Sequence, residues 1–241
     1  MQSNKIPWVR VLVEGVVIVG SIHLAFALDA WWDSQSREAE LREQAHVVAG
    51  EVASVSAAVQ RVQRSHELAA NLTAHLSAAL REVPEGAEIV VSDTLVGPLL
   101  PQATADVSTG SIDTFVAAGG LELIEDEETR GYFLEWSAQI EDLQDDEIYL
   151  RNFAGAALNQ HLRANYAVAN AELWAIPVLL ARFHVGTPVV PDVLGTVTLR
   201  HEQQLLNYLA ARESGERGLR AGLLTIIEQA DLMVEALEGV R

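Results

Sequence analysis

The sequence predicts an all-α protein in which one N-terminal transmembrane helix continues into an extracytoplasmic antiparallel helical bundle with long helices. Three observations predict this class. Residues Val11–Ala30 form one hydrophobic stretch, and three later segments repeat apolar residues at alternating spacings of three and four. The 241 residues contain no cysteine, which excludes a disulfide framework, a thiolate zinc site and a cysteine nucleophile.

The hydrophobic stretch is framed by tryptophans, with Trp8 before it and Trp31 and Trp32 after it. Trp31 lies 23 residues after Trp8, a separation that corresponds to about 35 Å of helix. That length suits a bilayer, and tryptophan favours both membrane boundaries. Residues 1–33 are therefore predicted to be a cytoplasmic N-terminus and a transmembrane anchor, with the lipid bilayer as the first partner.

Charges on either side of the stretch predict its orientation. Lys5 and Arg10 precede it, whereas Asp29 lies at its C-terminal end and Asp33 follows it. Because basic flanks stay in the cytoplasm, residues 34–241 are expected outside it, which in a bacterium is the periplasmic side of the inner membrane. A cleaved signal peptide is the alternative, since Ala25-Phe26-Ala27 has a small-x-small pattern. Glu14 within the stretch and the stretch's length favour a retained anchor.

Polar residues inside the stretch need partners, because polar groups are unfavourable in lipid. Glu14 lies four residues after Arg10, so the two are predicted to pair on one helix face. With Trp8, Trp31 and Trp32 they form the predicted anchoring set. His23 lies deeper and is expected to contact another helix. A haem or pigment ligand at His23 is the less favoured alternative.

A heptad pattern predicts that the anchor continues as a helix of about 50 further residues. The pattern weakens at His66, resumes beyond it, and ends at Pro84-Glu85-Gly86. Its residues are Leu41, Ala45, Val48, Val52, Val55, Val59, Val62, Ala69, Leu76 and Leu80.

Two irregular connections are predicted, near residues 83–110 and 166–196. The first contains a β-like run at Ile89–Val91 and a helical turn at Asp93–Val96. The second contains the loop-like segment Trp174–Pro191, which has three prolines. Between them, a short helix capped by Ser111-Ile112-Asp113 is expected to stop at Gly119-Gly120.

Two more long helices complete the predicted bundle. Glu125–Glu128 opens one, whose apolar stripe comprises Phe133, Trp136, Ile140, Leu143, Glu147, Leu150, Ala154, Ala157, His161 and Ala164. The last helical block is expected to start near Val197 and to kink or split at Ser214–Gly218. Its stripe comprises Leu219, Leu223, Ile226, Ala230, Met233 and Leu237. We expect these stripes to form the intramolecular core, with a self-associating coiled coil as the alternative.

Charge and motifs exclude several functions. The formal net charge is −18, with 34 acidic and 16 basic residues, so a nucleic-acid partner is not expected. Lys5 is the only lysine, which removes Schiff-base and P-loop chemistry from the rest of the chain. No catalytic or zinc-binding histidine motif occurs, and we predict neither catalytic residues nor a cofactor.

Two weaker candidates for a binding site remain. Asp142, Asp145 and Asp146 share a helix face and form a possible Ca²⁺ site, although a solvated face is favoured. Five aromatic residues are candidates to line a pocket between helices, namely Trp136, Tyr149, Phe153, Tyr166 and Trp174. An enzyme would require a deep pocket that holds His161 or His184 beside a carboxylate with a shifted pKa.

Two motifs resemble a known group of bacterial proteins. The segment from Val13 through Asp33, which ends in Ala27-Leu28-Asp29-Ala30-Trp31-Trp32-Asp33, is similar to the N-terminus of single-pass membrane proteins related to the DUF6090 type. Ala117–Ile124, followed by Glu128 and Arg130, resembles a Gly-Leu-x-x-Ile turn of the same proteins. The resemblance covers about a quarter of the chain, and His23 departs from it. It implies a one-span anchor with a helical exterior and no catalytic residues.

Taken together, these features predict a non-enzymatic, membrane-anchored structural or interaction protein. It would be an accessory or scaffolding subunit that braces a larger membrane complex, with other membrane-protein subunits or a second copy of itself as partners. One alternative is an accessory subunit of a photosynthetic or respiratory complex. Another is a periplasmic sensor or ligand-binding module.

Overall fold

The first helix dominates the architecture. A computed structural model describes residues 8–105, 107–173 and 195–240, with side chains for all of these except residues 8–11 and 153. Helix α1, Trp8–Arg81, is continuous over 74 residues, about 110 Å. The side chains from Leu12 to Asp33 are exposed, and α1 contains one stretch that is long and apolar enough to cross a membrane. The predicted long N-terminal helix is confirmed.

Beyond its exposed part, α1 packs on the rest of the chain through the predicted stripe. Every stripe residue from Leu41 to Leu80 is buried, apart from the half-buried Val55. His66 and Thr73 fill the two gaps in the pattern and are buried as well. The spacing therefore alternates between four and three without interruption from Leu41 to Leu80, which is the pattern of a coiled-coil helix.

Helix α1 ends where Pro84 and Gly86 were expected to end it, and shorter elements follow. Strand β1 is Glu88–Ser92, helix α2 is Asp93–Val96, and a 3₁₀ turn spans Gly97–Leu99. Helix α3, Gly110–Ala117, stops at Gly119, whose φ of 93° is a left-handed conformation that favours glycine, and a second 3₁₀ turn spans Gly120–Leu123.

The second long helical segment has a change of register that the sequence pattern did not reveal. Helix α4, Glu127–Leu150, is capped by Asp126 and leads through a π-helical turn, Arg151–Gly155, into α5, Ala156–Asn165. The predicted stripe is buried as far as Ala154. A π turn contains more residues than an α turn, so the inward face of α5 carries Leu158 and Leu162 in place of the predicted Ala157 and Ala164.

The start of the third long segment differs from the prediction. Residues Thr196–Arg200 form strand β2, not the beginning of a helix, and helix α6 spans Gln203–Glu238. Strand β2 pairs antiparallel with β1, with Glu88 opposite Arg200. Its Val197 and Leu199 point inward at a period of two, and this signal was overlooked. The expected split at Ser214–Gly218 is absent because α6 runs through these residues without a break, and the predicted α6 stripe is confirmed.

The three long segments form an antiparallel bundle. Helix α6 runs against α1, since Ser56 Oγ donates to Asp231 Oδ1 at 3.0 Å and Arg220 pairs with Glu67 at 3.2 Å. It also runs against α4 and α5. The described residues form an all-α bundle, with the two-stranded ribbon β1–β2 at the end far from the exposed part of α1. The connection expected at Trp174–Pro191 lies outside the described residues.

Candidate functional site

Two clusters of polar side chains stand out among the described residues of the bundle, and the first is a layer of buried polar groups at mid-height. The layer comprises His66 on α1, Arg212 and Glu216 on α6, Glu147 on α4, and Gln102 in the connection between α2 and α3. It separates an apolar core near α3 from a second apolar core beneath the ribbon. His66, Arg212 and Glu216 are each at most 1% exposed. We call this set the buried charge layer.

Glu216 is the centre of the buried charge layer. One carboxylate oxygen, Oε2, contacts His66 Nδ1, and the other, Oε1, lies 2.6 Å from Arg212 Nε. Arg212 also donates to the carbonyl oxygen of Pro101 at 3.1 Å and, at 3.5 Å, to Gln102 Oε1. Burial lowers the pKa of Arg212, and the Glu216 carboxylate opposes that shift. The layer therefore ties α1 and α6 to the connection beside them.

Local backbone features make room for these groups. Gly155, at the end of the π turn, lies so close to Arg212 that a Cβ atom there would be 2.5 Å from Nη1. Ala105 donates its backbone N–H to Glu147 Oε1 at 2.7 Å, which gives this carboxylate a buried partner. Because His66, Arg212 and Glu216 are buried and contact one another across α1 and α6, we interpret the layer as a feature that fixes helix register.

The second polar cluster opens to solvent at the ribbon end. An open cleft of about 400 Å³ lies between the end of α5, the ribbon and the start of α6. We call it the distal cleft. Its walls include Glu88, Tyr166, Thr196, Thr198, Arg200 and Glu202.

Glu202 organises the inner wall of the distal cleft. Its Oε1 accepts two hydrogen bonds, from His161 Nε2 at 2.7 Å and from the Tyr166 hydroxyl at 2.6 Å. Asn165 donates to His161 Nδ1 at 3.3 Å, so Nε2 carries the histidine proton. The aromatic rings of Tyr166 and Tyr208 flank the imidazole, with centroids 5.9 and 5.3 Å away.

These contacts shift two pKa values in opposite directions. Hydrogen bonds, first from Tyr166 and then from His161, lower the pKa of Glu202. Burial, followed by the hydrogen bond to Glu202, raises the pKa of Tyr166 to about 12. Glu202 is therefore an ionised acceptor at neutral pH, and Tyr166 is a neutral donor.

Replacing Glu202 with glutamine is expected to lower the pKa of Tyr166 without restoring the ordinary value of 10.0, because burial is the larger cause of the shift. An ultraviolet difference titration of the tyrosines checks this, with Tyr166→Phe to identify the signal. The raised pKa favours the neutral phenol in the folded state, so its stabilisation is complete below pH 10 and declines as the pH rises towards about 12. An unchanged Tyr166 titration in Glu202→Gln would contradict this account.

The sequence-predicted site residues are dispersed. Trp31 and Trp32 are 58% and 67% exposed on α1, and Glu14 is exposed on the same helix. Trp8 and Arg10 lie on α1, but their side chains are outside the described set, and with them the Arg10–Glu14 pair.

His23 is exposed on the apolar part of α1. Its Nδ1 donates to the carbonyl oxygen of Val19 at 2.9 Å. His75 Nδ1 donates in the same way to the carbonyl oxygen of Asn71 at 2.8 Å outside the apolar stretch, so this bond does not by itself identify a ligand. It does leave Nε2 as the ring nitrogen that faces the surroundings of the helix.

The two weaker candidates fare differently. Asp142, Asp145 and Asp146 are exposed on α4, and within the described ranges no group of three or more His, Asp or Glu side chains is arranged to hold a metal ion. Trp136 is buried in the core while Tyr149 is 62% exposed, so these two do not share the expected pocket. Of the five aromatic residues, Tyr166 lines a cleft; Trp174 and the Phe153 side chain lie outside the described set, as does His184.

The comparisons with known proteins add no relative. No family model, no curated protein and no solved structure matches the chain. The similarity to DUF6090-type membrane proteins therefore rests on the two motifs alone, and the function has to be argued from the geometry of the chain itself.

Proposed function

We propose that this chain is a non-enzymatic, membrane-anchored interaction protein that serves as an accessory or scaffolding subunit and braces a larger membrane complex. The continuity of α1 supports this proposal most directly. One helix carries both the exposed apolar stretch and the longest packing face of the bundle. An anchor of this kind transmits the orientation of the membrane segment to the domain, as a brace requires.

The proposed location is the inner membrane of a bacterium, with the N-terminus in the cytoplasm and residues 34–241 in the periplasm. Lys5 and Arg10 on one side of the apolar stretch, and Asp29 and Asp33 on the other, support this orientation. The tryptophans at both ends support the position of the helix in the bilayer.

His23, a polar residue inside the apolar stretch, favours a protein partner. His23 Nδ1 is satisfied by Val19, but no described residue bonds to Nε2. An imidazole nitrogen in lipid gains from a hydrogen-bond donor on a neighbouring helix. A metal centre in a photosynthetic or respiratory complex would use the same nitrogen, and an absorbance spectrum of the purified assembly separates this narrower version from the general one.

The cluster at the distal cleft does not favour catalysis. Its carboxylate, Glu202, has a lowered pKa and is a weak base at neutral pH, while the raised pKa of Tyr166 makes the phenol a weak acid. His161 is buried behind both residues and is not part of the cleft wall. A ligand-binding role, the second candidate function, is favoured by the open cleft itself.

We expect site-specific photo-crosslinking in native membranes to identify the partner. A photoreactive residue at Phe26, which is 70% exposed, should give one protein adduct of defined mass. His23→Leu should reduce its yield several-fold. His75→Leu is a matched control, because His75 Nδ1 makes the same hydrogen bond to Asn71 outside the apolar stretch. Adducts with lipid alone, or an adduct that His23→Leu leaves unchanged, would count against the proposal; an adduct of twice the chain mass would identify a second copy as the partner.

A further inference from the structure

The distal cleft carries charges of both signs on one small surface. Thr196, Thr198 and Arg200 alternate along the exposed face of β2, and Glu88 lies across the ribbon from Arg200. Glu202 closes the inner end of this face. The cleft is thus lined by two carboxylates, one guanidinium and several hydroxyl groups, which suits a small polar ligand and not an apolar one.

The Glu202 carboxylate is positioned to bind a cationic group. Its Oε1 is held by His161 and Tyr166, which fixes the carboxylate in one orientation. No described residue donates to Oε2, and the side chain is 35% exposed. A fixed, partly exposed carboxylate in the wall of an open cleft is a suitable acceptor for an ammonium group.

Arg200 retains donors for a negative group. Its Nη2 donates to Glu88 at 3.2 Å, and the guanidinium is 59% exposed. A guanidinium carries five N–H donors, so one bond to Glu88 leaves an edge that matches a carboxylate. Arg200 precedes Glu202 by two residues, and both line the distal cleft.

From these positions we propose that the distal cleft binds a small zwitterion of the free amino acid class, with its ammonium group on Glu202 and its carboxylate on Arg200. The hydroxyl groups of Thr196 and Thr198 line the space for the remainder of the molecule. A volume of about 400 Å³ accommodates such a ligand. This inference does not depend on the scaffolding function, because the cleft lies at the opposite end of the bundle from the anchor.

The test is calorimetric titration of the full chain in detergent micelles with the standard amino acids, one at a time. At least one should bind at up to millimolar concentration. Its analogue without the carboxylate and its analogue without the amine should each bind at least tenfold more weakly. These comparisons use the unaltered protein, so they do not depend on the folding of a variant.

Variants then assign each charge to its residue. Glu202→Gln and Arg200→Gln should each weaken binding of the amino acid at least tenfold, whereas Arg217→Gln, which alters an exposed pair away from the cleft, should not. The proposal is overturned if no amino acid binds, if the amine analogue binds as tightly as the amino acid, or if the cleft variants bind like Arg217→Gln. Failure here leaves the crosslinking result untouched, and the reverse also holds.

Discussion

Replacing Glu216 with glutamine is expected to lower the free energy of unfolding by about 3–5 kcal/mol. The carboxylate is 0% exposed and lies between His66 and Arg212, which is 1% exposed. The glutamine amide keeps the size of the side chain but removes its charge, so the buried Arg212 guanidinium loses the carboxylate that lies 2.6 Å from its Nε. Urea unfolding of the full chain in a mild detergent, followed by circular dichroism, measures the change.

An exposed pair on the same helix provides the control. Glu213 accepts from Arg217 at 3.0 Å with the same i,i+4 spacing, and Arg217 is 54% exposed. Because solvent screens such pairs, Glu213→Gln should change the free energy of unfolding by only about 0.3–0.5 kcal/mol. If both variants lose similar stability, the buried charge layer does not hold the bundle as described.

A triple variant separates stability from specificity. Replacing His66, Arg212 and Glu216 together with leucine or methionine removes the contacts among these three side chains, while Glu147 keeps its hydrogen bond from the Ala105 backbone N–H. We expect it to recover most of the stability lost in Glu216→Gln, since buried ion pairs replaced by apolar residues are often neutral or stabilising. Loss of a single helix register in the triple variant, seen as broadened amide resonances, would support a role of the layer in alignment.

Periodicity explains why so much of the fold was predictable. On α6, Leu209, Arg212, Glu216, Leu219 and Leu223 follow one another at spacings of three and four, and all are buried. In a strict heptad repeat, the position of a residue decides whether it faces the core, even where that residue is polar. The same rule placed Glu147 in the predicted stripe of α4, and it would have identified His66 and Arg212 as core positions had it been applied to polar residues on α1 and α6 as well.

The remaining features depend on contacts between distant parts of the chain. The π turn at Arg151–Gly155 brings Gly155 close to Arg212, which lies about 60 residues later in the sequence. The residues of the turn itself therefore do not predict the turn. Strand β2 carries a local period of two, but its pairing with β1 joins segments more than 100 residues apart in the sequence. The distal cleft combines residues from α5, the ribbon and α6, so spacing within any one segment could not reveal the Glu202–His161 contact.

Two arginines in the apolar part of α1 are expected to release the protein from the membrane. Val17 and Leu24, both 62% exposed, lie on one face of the helix near the middle of the predicted span. Each arginine at such a depth costs about 2.5–3.5 kcal/mol of insertion free energy. The double variant Val17→Arg, Leu24→Arg should therefore shift from the membrane pellet to the supernatant after an alkaline carbonate wash, because the bundle itself begins to pack only at Leu41.

The matched control uses the same substitutions further along the same helix. Val47 and Leu68 are 58% and 45% exposed on α1 but lie within the bundle region. If the apolar stretch alone is the anchor, Val47→Arg, Leu68→Arg stays in the pellet, since its arginines meet water. Equal retention of both double variants would mean that the chain is held by another surface. Equal release would mean that added charge, and not its position in the helix, detaches the protein. Only a difference between the two supports a membrane span at residues 11–30.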